Sequence, residues 1–384
     1  MARMLPDGRR LGAHLALGAG MVKAADRAVD IGATALQIFS DNPTAWRRRP
    51  APSPEIPAFR ERLVAAGIAP LVIHASYLVN LAGSDPSYHE RSVAVLAAEL
   101  RAARRFGASI VNVHIGSHGG AGTEVGIERL VTAVRRAIDA DTEDDPEDAN
   151  PDGGELEVSE RAPGDPAARV APAPVAPATI ALENAVGSGF GLGTTVDELA
   201  AIADALAGAG VADERIGFCL DTAHAWGAGY ALSDPAAIDA LLDDFDRRIG
   251  LGRLLLVHLS DSRSERGSRM DRHEHVGAGR IGEAGLAHVL RHPRLASATY
   301  ILETPGMDEG YDAINLARAL ALARGEPLEP LPPGAFTLRS SRVRAATPVD
   351  PPADAEGEAA PGDVDGASSP GDARVPVPRA ATPT

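Results

Sequence analysis

The amino-acid sequence predicts an α/β protein, a single-domain (β/α)8 TIM barrel. Three observations support this prediction. Short apolar segments alternate with Ala-, Leu- and Arg-rich segments of helical period, eight of the apolar segments are strand-like, and most of these end on a His, Asp or Glu. Eight strands with intervening helices close a barrel, and the carboxyl ends of its strands meet around one mouth.

The strand-like segments are rich in Leu and β-branched residues and follow one another at intervals that leave room for helices. They lie at 11–16, 34–39, 70–75, 109–115, 179–184, 216–221, 254–260 and 299–303. Between them lie segments whose apolar residues recur with helical period, such as 21–31, 89–106, 124–138, 195–207, 235–249 and 283–291. The alternative is an open doubly wound sheet. That fold would concentrate function at one topological switch point, and no GxGxxG motif follows the first strand.

Two acidic segments interrupt or follow this pattern. Residues 139–178 and 345–384 are rich in Pro, Ala and Gly and contain few large apolar residues. Such segments bury too little apolar surface to offset the entropy of ordering, so we predict a disordered insertion and a disordered C-terminal tail. The barrel is then expected to occupy 10–138 together with 179–330.

Most of the net charge of −16 belongs to these segments. Residues 139–169 hold 12 acidic and 2 basic residues, and residues 345–384 hold 7 acidic and 2 basic residues, which leaves about −1 for the rest of the chain. Lys23 is the only lysine, and the many Arg residues suit bidentate phosphate contacts. A GC-rich genome that favours Arg codons explains the same bias equally well.

Composition also limits the class of protein. Cys219 is the only cysteine, which excludes an intrachain disulfide and a thiolate metal cluster. No apolar run reaches the roughly 18–20 residues of a membrane span, and the N-terminal sequence lacks the apolar region of a secretory signal. We expect a monomeric cytoplasmic protein without membrane contact.

Residues of the types that bind metal ions lie at the ends of six strand-like segments and within one loop. A single His beside a strand is usually a core or surface residue, and His89, His288 and His292 are interpreted in that way. Repeated His, Asp and Glu at separate strand ends instead indicate a multinuclear zinc or manganese site. The candidate residues are His74, His114, Glu183, Asp221, His224, His258 and Glu303 at or just after strand ends, and Asp271 and His273 in the loop stretch SRMDRHEH.

The sequence resembles the endonuclease IV family of apurinic/apyrimidinic endonucleases. The matching stretches occur in the order found in the family and span about 11–320, apart from the acidic insertion. DTAHAWGAGY and GSRMDRHEHVGAGRIG lie within the most specific of them. The stretches are LGAHLALGAG (11–20), HASYLVNLAG (74–83), NVHIGSHGG (112–120), LENAVGSG (182–189), CLDTAHAWGAGY (219–230), HLSDSRSERGSRMDRHEHVGAGRIG (258–282) and ILET (301–304).

This resemblance implies a trinuclear zinc centre, with Mn²⁺ as an alternative at one site. His14 is expected beside the ligands, and His275 is not a ligand. The implied ligands are His74, His114 and Glu183 for one zinc, Glu183, Asp221, His258 and Glu303 for a second, and His224, Asp271 and His273 for the third.

The resemblance also implies a reaction in base excision repair. The substrate would be double-stranded DNA with abasic sites, cut on the 5′ side of the lesion by a metal-bridged hydroxide. The products would be a 3′-hydroxyl and a 5′-deoxyribose phosphate, and blocked 3′ ends would be removed at the same site. Glu183 and Glu303 are the expected catalytic residues, and Glu303 would orient or deprotonate the attacking water.

Recognition of an abasic nucleotide requires a wedge that fills the gap in the duplex. Tyr77 and Leu78 match the family's minor-groove wedge, although packing of the barrel rim would explain them too. Trp46 and Arg47, in the stretch DNPTAWRRR, are further candidates for DNA contact. The family often has an Arg where this chain has Thr44, so Arg47 or one of the two arginines after it would have to replace that residue.

Two other functions compete with this one. A metal-dependent sugar isomerase or epimerase of the same broad superfamily needs only a mononuclear or dinuclear site, and the additional set His224, Asp271 and His273 argues against it. A scaffold protein that recruits partners through its acidic segments would not need nine ligands of the expected type.

Overall fold

Eight parallel strands close into a barrel in the computed structural model, which describes residues 4–49, 51–142, 176–307 and 309–337. The eight barrel strands and the two short strands of a separate hairpin are β1 (Leu11–His14), β2 (Ala35–Ile38), β3 (Leu71–His74), β4 (Ile110–His114), β5 (Thr179–Glu183), β6 (Ile216–Asp221), β7 (Leu254–Leu259), β8 (Asp261–Ser262), β9 (His273–Glu274) and β10 (Thr299–Leu302). Their order around the barrel is β1-β10-β7-β6-β5-β4-β3-β2, and β8 and β9 form a separate antiparallel hairpin. The predicted (β/α)8 barrel is therefore confirmed.

Helices follow the barrel strands, and each predicted helical segment is present. Three further helices, Ile56–Ala66, Thr222–Ala228 and Asp312–Arg324, were not among the predicted segments. None of the helices in the described part of the chain is long and apolar enough to cross a membrane. The helices are α1 (Met21–Ile31), α2 (Ile56–Ala66), α3 (Pro86–Phe106), α4 (Thr123–Thr142), α5 (Val196–Gly208), α6 (Thr222–Ala228), α7 (Pro235–Arg248), α8 (Gly282–Arg291) and α9 (Asp312–Arg324).

The interior of the barrel contains a small apolar cluster beneath its mouth. Successive side chains of a strand point to opposite faces, so the residue two positions further on also points inward. The inward-facing positions are therefore apolar low in the barrel and polar at its mouth. The cluster consists of Val72, Ile110, Ala181, Cys219 and Leu256, and the residues two positions later are His74, Asn112, Glu183, Asp221 and His258.

Strand register brings these polar positions to a common level. His114 lies opposite Glu183 on the neighbouring strand, and Asp221 lies opposite His258. Because parallel strands in a barrel share one direction, residues that are level in the register face the same opening. The mouth is thus lined by side chains from separate strands rather than from one continuous motif.

The helix before the acidic insertion ends later than expected. The predicted segment 124–138 is extended to Thr142 in α4, so residues 139–142, which we placed in the insertion, are helical. Asp141 is buried there and forms ion pairs with Arg104 and with Arg215, whose Nη2 lies 3.3 Å from Asp141 Oδ2. Ala178, which we also placed in the insertion, is buried in the core. Residues 143–175 of the predicted insertion and the predicted tail at 345–384 lie outside the described residues.

The topology places the flanks of this insertion away from the mouth. Barrel helices return antiparallel to the strands, so α4 ends and β5 begins at the face opposite the strand carboxyl ends. We predict that deletion of 143–175, with a short Gly/Ser linker between residues 142 and 176, leaves the Tm nearly unchanged, because the ion pairs of Asp141 remain and surface connections tolerate changes in length.

The matched control is Asp141→Ala in the full-length chain, which removes a buried charge-assisted contact and should cost about 1–3 kcal/mol. Thermal unfolding followed by circular dichroism compares the two proteins. A fall in Tm for the deletion as large as that of Asp141→Ala would contradict the prediction.

Candidate metal centre

The nine predicted ligand residues all lie around the mouth of the barrel. Asp221 both ends β6 and begins α6, since its Oδ1 accepts the backbone N–H of His224 at 2.7 Å. A side-chain cap of this kind fixes the first turn of the helix. It therefore fixes His224 one turn beyond the strand end, beside the side chain of Asp221 itself.

The loop that carries Asp271 and His273 is held by the buried carboxylate of Asp261. That carboxylate accepts the N–H groups of Ser262 and Ile281 at 2.8 Å, and that of Gly282 at 3.0 Å. Residue 279 must be a glycine, because a Cβ there would lie 2.4 Å from the carbonyl oxygen of Ser262. One carboxylate thus ties together both ends of the loop.

The first group of side chains is centred on the buried carboxylate of Glu183. Its Oε2 lies 3.6 Å from His74 Nε2, 3.4 Å from His114 Nε2 and 3.5 Å from His258 Nδ1. Two ligands that each lie about 2.1 Å from one zinc ion in tetrahedral geometry are about 3.4 Å apart. The spacing therefore fits atoms that share an ion better than it fits direct hydrogen bonds.

A second group contains Asp221, His258 and Glu303, whose ligand atoms lie within 4.8 Å of one another. His258 Nδ1 is 3.6 Å from Glu303 Oε2 and 3.9 Å from Asp221 Oδ2. Since His258 Nδ1 also faces Glu183, the first two groups adjoin. This arrangement places the carboxylate of Glu183 beside both groups.

The third group contains His224, Asp271 and His273. Asp271 lies between the two imidazoles, with its Oδ2 3.5 Å from His224 Nε2 and its Oδ1 3.1 Å from His273 Nε2. Asp221 Oδ2 also lies 3.6 Å from His273 Nε2. Asp221 therefore stands between the second and third groups, a position that the sequence did not indicate.

Three of the histidines are oriented by backbone carbonyl groups. The Nδ1 atoms of His74, His224 and His273 lie 2.7, 3.0 and 2.6 Å from the carbonyl oxygens of Ala75, Asn184 and Glu303, respectively. A carbonyl oxygen only accepts, so each Nδ1 donates, and the neutral imidazole that binds a metal ion keeps its lone pair on Nε2. Metal-binding histidines are commonly held in this way.

Several atoms inside the mouth have no hydrogen-bond partner among the described residues. They include His258 Nδ1, His273 Nε2 and Asp221 Oδ2, all of which are buried. A buried polar atom that is left unsatisfied costs about 1–3 kcal/mol. Because these nitrogen and oxygen atoms face one another at distances suited to shared ions, the residues present fit a cluster of divalent metal ions.

Opposite charges outweigh burial at these groups. Burial opposes the protonation of His273, but Asp271 and Asp221 raise its pKa to about 10. Burial would raise the pKa of Glu183, yet His114 and His258 hold that pKa well below its usual range. The carboxylate of Glu183 is therefore ionised at neutral pH, which is the state that binds a divalent cation.

Two buried amides beside the ligands were missed by sequence reasoning. Asn112 Nδ2 donates to Glu183 Oε2 at 2.6 Å, and Gln37 Nε2 donates to Glu303 Oε1 at 2.6 Å. The available signal was an amide at an inward position near the end of an apolar strand. His14, which we expected beside the ligands, has its Nδ1 3.1 Å from Glu303 Oε1.

The four predicted DNA-contact residues separate into two sets. Tyr77 and Leu78 line a cavity of about 450 Å³ at the mouth, together with His114 and Asp271. Trp46 and Arg47 do not line this cavity.

The loop that carries Trp46 and Arg47 is packed against α3. The Trp46 ring packs edge-on against Tyr88 at a centroid distance of 4.8 Å. Arg48 is paired with the buried carboxylate of Glu99, and Arg49 with Asp41 at 3.0 Å. Arg47 is exposed, and it makes no ion pair with any residue in the described ranges.

His288 and His292, which we interpreted as structural, lie outside the barrel with Asp239. Both Nε2 atoms face Asp239 Oδ1, at 2.6 and 3.2 Å. His292 Nδ1 accepts the N–H of Arg294 at 3.3 Å, so its Nε2 carries the proton and donates to Asp239. This group therefore links α7 to α8 and the residue after it, and both Nε2 atoms are already bonded to one oxygen of Asp239.

Comparison with known proteins identifies the family of this chain. Residues 25–324 match the family described as xylose isomerase-like TIM barrel. A probable endonuclease 4 of Methanoculleus marisnigri is 39% identical over 313 residues, which cover 82% of this chain and 98% of that protein. The crystal structure of endonuclease IV from Thermus thermophilus has a TM-score of 0.63 at 37% identity and covers 82% of this chain and 99% of that chain.

The chain belongs to the endonuclease IV family within the xylose isomerase-like TIM barrels. A D-tagatose 3-epimerase-like protein has a TM-score of 0.52 at 15% identity and covers 82% of this chain and 97% of that chain. At that level of identity the likeness shows a shared barrel and nothing about substrate.

Proposed function

We propose that this protein is a zinc-dependent endonuclease of base excision repair that cuts double-stranded DNA on the 5′ side of abasic sites. The products would be a 3′-hydroxyl and a 5′-deoxyribose phosphate, and the same site would remove blocked 3′ ends. The observation that carries the proposal is the third group of side chains, His224, Asp271 and His273, beside the first two. A sugar isomerase or epimerase would not need this third group.

The proposed centre holds three zinc ions per chain, with Mn²⁺ as an alternative in one position. Bound zinc would supply Lewis acidity, which activates water at neutral pH and neutralises phosphate charge. The first ion would be held by His74, His114 and Glu183, and the third by His224, Asp271 and His273. The second would be held by Asp221, His258, Glu303 and the shared Glu183.

Glu303 is proposed to hold the attacking water and take its proton. Its Oε1 accepts a hydrogen bond from Gln37, whereas its Oε2 faces the interior of the mouth beside His258. Burial alone would raise the pKa of Glu303, but His258, His14 and His74 hold that pKa below its usual range. Glu303 is therefore ionised at neutral pH, as a proton acceptor must be.

The tyrosine and leucine at the cavity rim are proposed to recognise the lesion. Tyr77 is 42% exposed, and its ring lies 5.8 Å from that of His74. An aromatic side chain and an aliphatic side chain beside the metal ligands can fill the space left when an abasic nucleotide rotates out of the duplex.

The neighbouring loop is proposed to bind the DNA backbone. Among its arginines, Arg47 is the one available for a phosphate, because Arg48 and Arg49 are already paired with carboxylates. Trp46 would act by supporting this loop, since its ring packs against Tyr88.

We predict that the purified protein nicks plasmid DNA containing abasic sites and that Glu303→Gln slows incision about 10²–10⁴-fold, the usual contribution of a general base. Glu303→Gln keeps the shape of the side chain, so most of the metal should remain bound. The matched control is His288→Ala, which lies outside the barrel and should incise at the wild-type rate. Isomerase activity in the same preparation without any nicking would favour the rival function instead.

For the wedge, we predict that Tyr77→Ala with Leu78→Ala weakens binding to an abasic duplex by about a few kcal/mol, the scale of unstacking one base step. Metal content should not change. Incision at an internal abasic site should fall more than removal of a 3′ block from a nicked end, because only the internal site requires a duplex to be held open.

The control for this pair is Phe336→Ala, which removes an exposed aromatic side chain that does not line the cavity. It should leave both activities unchanged. Equal losses on the two substrates, or loss of zinc from the double variant, would show that Tyr77 and Leu78 support the barrel rim.

A further inference from the structure

The side chain of Gln37 occupies an unusual position for an amide, inside the barrel at the end of β2. It is fully buried and is surrounded by strands whose lower interior is apolar. Its Nε2 lies 2.6 Å from Glu303 Oε1 and 3.0 Å from His14 Nδ1, and its Oε1 lies 2.9 Å from His258 Nε2. Gln37 thus touches two of the proposed ligands without being one itself.

The carboxylate of Glu303 determines which way the amide points. An ionised carboxylate only accepts hydrogen bonds, so the amide atom that faces Glu303 must be the NH2 group. The amide oxygen of Gln37 consequently faces His258. Since that oxygen only accepts, His258 must donate from Nε2, and its neutral, metal-binding form keeps the lone pair on Nδ1.

The nitrogen that this arrangement leaves unprotonated is the one that faces the centre. His258 Nδ1 is buried and makes no hydrogen bond with any residue in the described part of the chain. It lies within 3.5–3.9 Å of one oxygen each of Glu183, Asp221 and Glu303. The tautomer set by Gln37 is therefore the one that can bind a metal ion shared with these carboxylates.

We propose that Gln37 is a positioning residue of the second metal site. Its carboxamide holds His258 in the Nδ1-binding tautomer and holds Glu303 with Oε2 turned toward the same ion. His74, His224 and His273 donate the equivalent hydrogen bond to backbone carbonyls. At His258 the hydrogen bond that fixes the tautomer is made to the side chain of Gln37, so substitution of this one residue removes it. The inference rests on the proposed zinc centre and does not depend on the DNA substrate.

The test is Gln37→Met in the zinc-loaded, full-length protein. Methionine preserves the length of the side chain, is only a weak hydrogen-bond acceptor for His258 and cannot donate to Glu303. In competition with a graded series of chelators, one zinc ion per chain should be bound about 10–100-fold more weakly, the usual effect of losing an outer hydrogen bond to a ligand. The other two ions should keep their wild-type affinities.

The matched control is Thr34→Val, at the residue immediately before the same strand. Thr34 is buried, accepts the N–H of Leu11 at 2.9 Å and donates to its carbonyl oxygen at 3.1 Å. Thr34→Val should lower the Tm without changing the affinity of any zinc ion. Wild-type affinities in Gln37→Met, or zinc losses in both variants that follow their Tm values, would overturn the positioning role.

A second measurement requires no substitution. In the ¹⁵N-histidine spectrum of the zinc-loaded protein, the His258 signal should show a protonated Nε2 and a metal-bound Nδ1. His74, His224 and His273 should show the reverse pattern. The positioning role is overturned if no metal-bound histidine carries its proton on Nε2, or if the wild-type chain binds no zinc.

Neither measurement uses DNA. A wild-type protein that failed to incise abasic DNA would therefore contradict the proposed function alone. The role of Gln37 would still be decided by the zinc affinities and the histidine spectrum.

Discussion

The buried carboxylate of Glu183, one oxygen of which faces three imidazoles, is the constraint on which the rest of the site depends. Its Oε2 lies 3.4–3.6 Å from nitrogen atoms of His74, His114 and His258, and its side chain is inaccessible to solvent. A carboxylate in this position is costly without a positive partner. The proposed metal ions would supply that partner. Holding them requires three strands that end at one level around one opening, which is the arrangement that a closed parallel barrel provides.

Polar groups behind the ligands hold the histidine tautomers whose unprotonated nitrogens face the centre of the mouth. Backbone carbonyls fix the tautomers of three histidines, and Gln37 is proposed to fix that of His258. Asp261 holds the loop that carries Asp271 and His273 over the mouth. The lower interior of the barrel is small and apolar. Flexibility at the mouth is thereby reduced before any ion binds, which lowers the entropic cost of forming the centre.

Much of this arrangement is predictable from the sequence, and there are physical reasons why the rest is not. Strand ends such as LVIH and TIALE are local patterns, so the barrel and the convergence of ligand-type residues follow from them. Two of the helices that were not predicted give weak local signals. Helix α6 has only seven residues and begins directly after the ligand strand β6, and α2 buries only Ile56, Phe59 and Leu63. The contacts of Gln37 with His258, and of Trp46 with Tyr88, join residues far apart in the chain. Such contacts depend on barrel register and loop packing, which no local pattern encodes.

The most direct test of the proposed trinuclear centre is anomalous X-ray scattering at the zinc edge from crystals of the zinc-loaded protein. The account predicts three peaks at the barrel mouth, two of them within bonding distance of Glu183 and the third beside His224, Asp271 and His273. A single peak, or zinc bound at Asp239, His288 and His292 in place of the mouth, would contradict it.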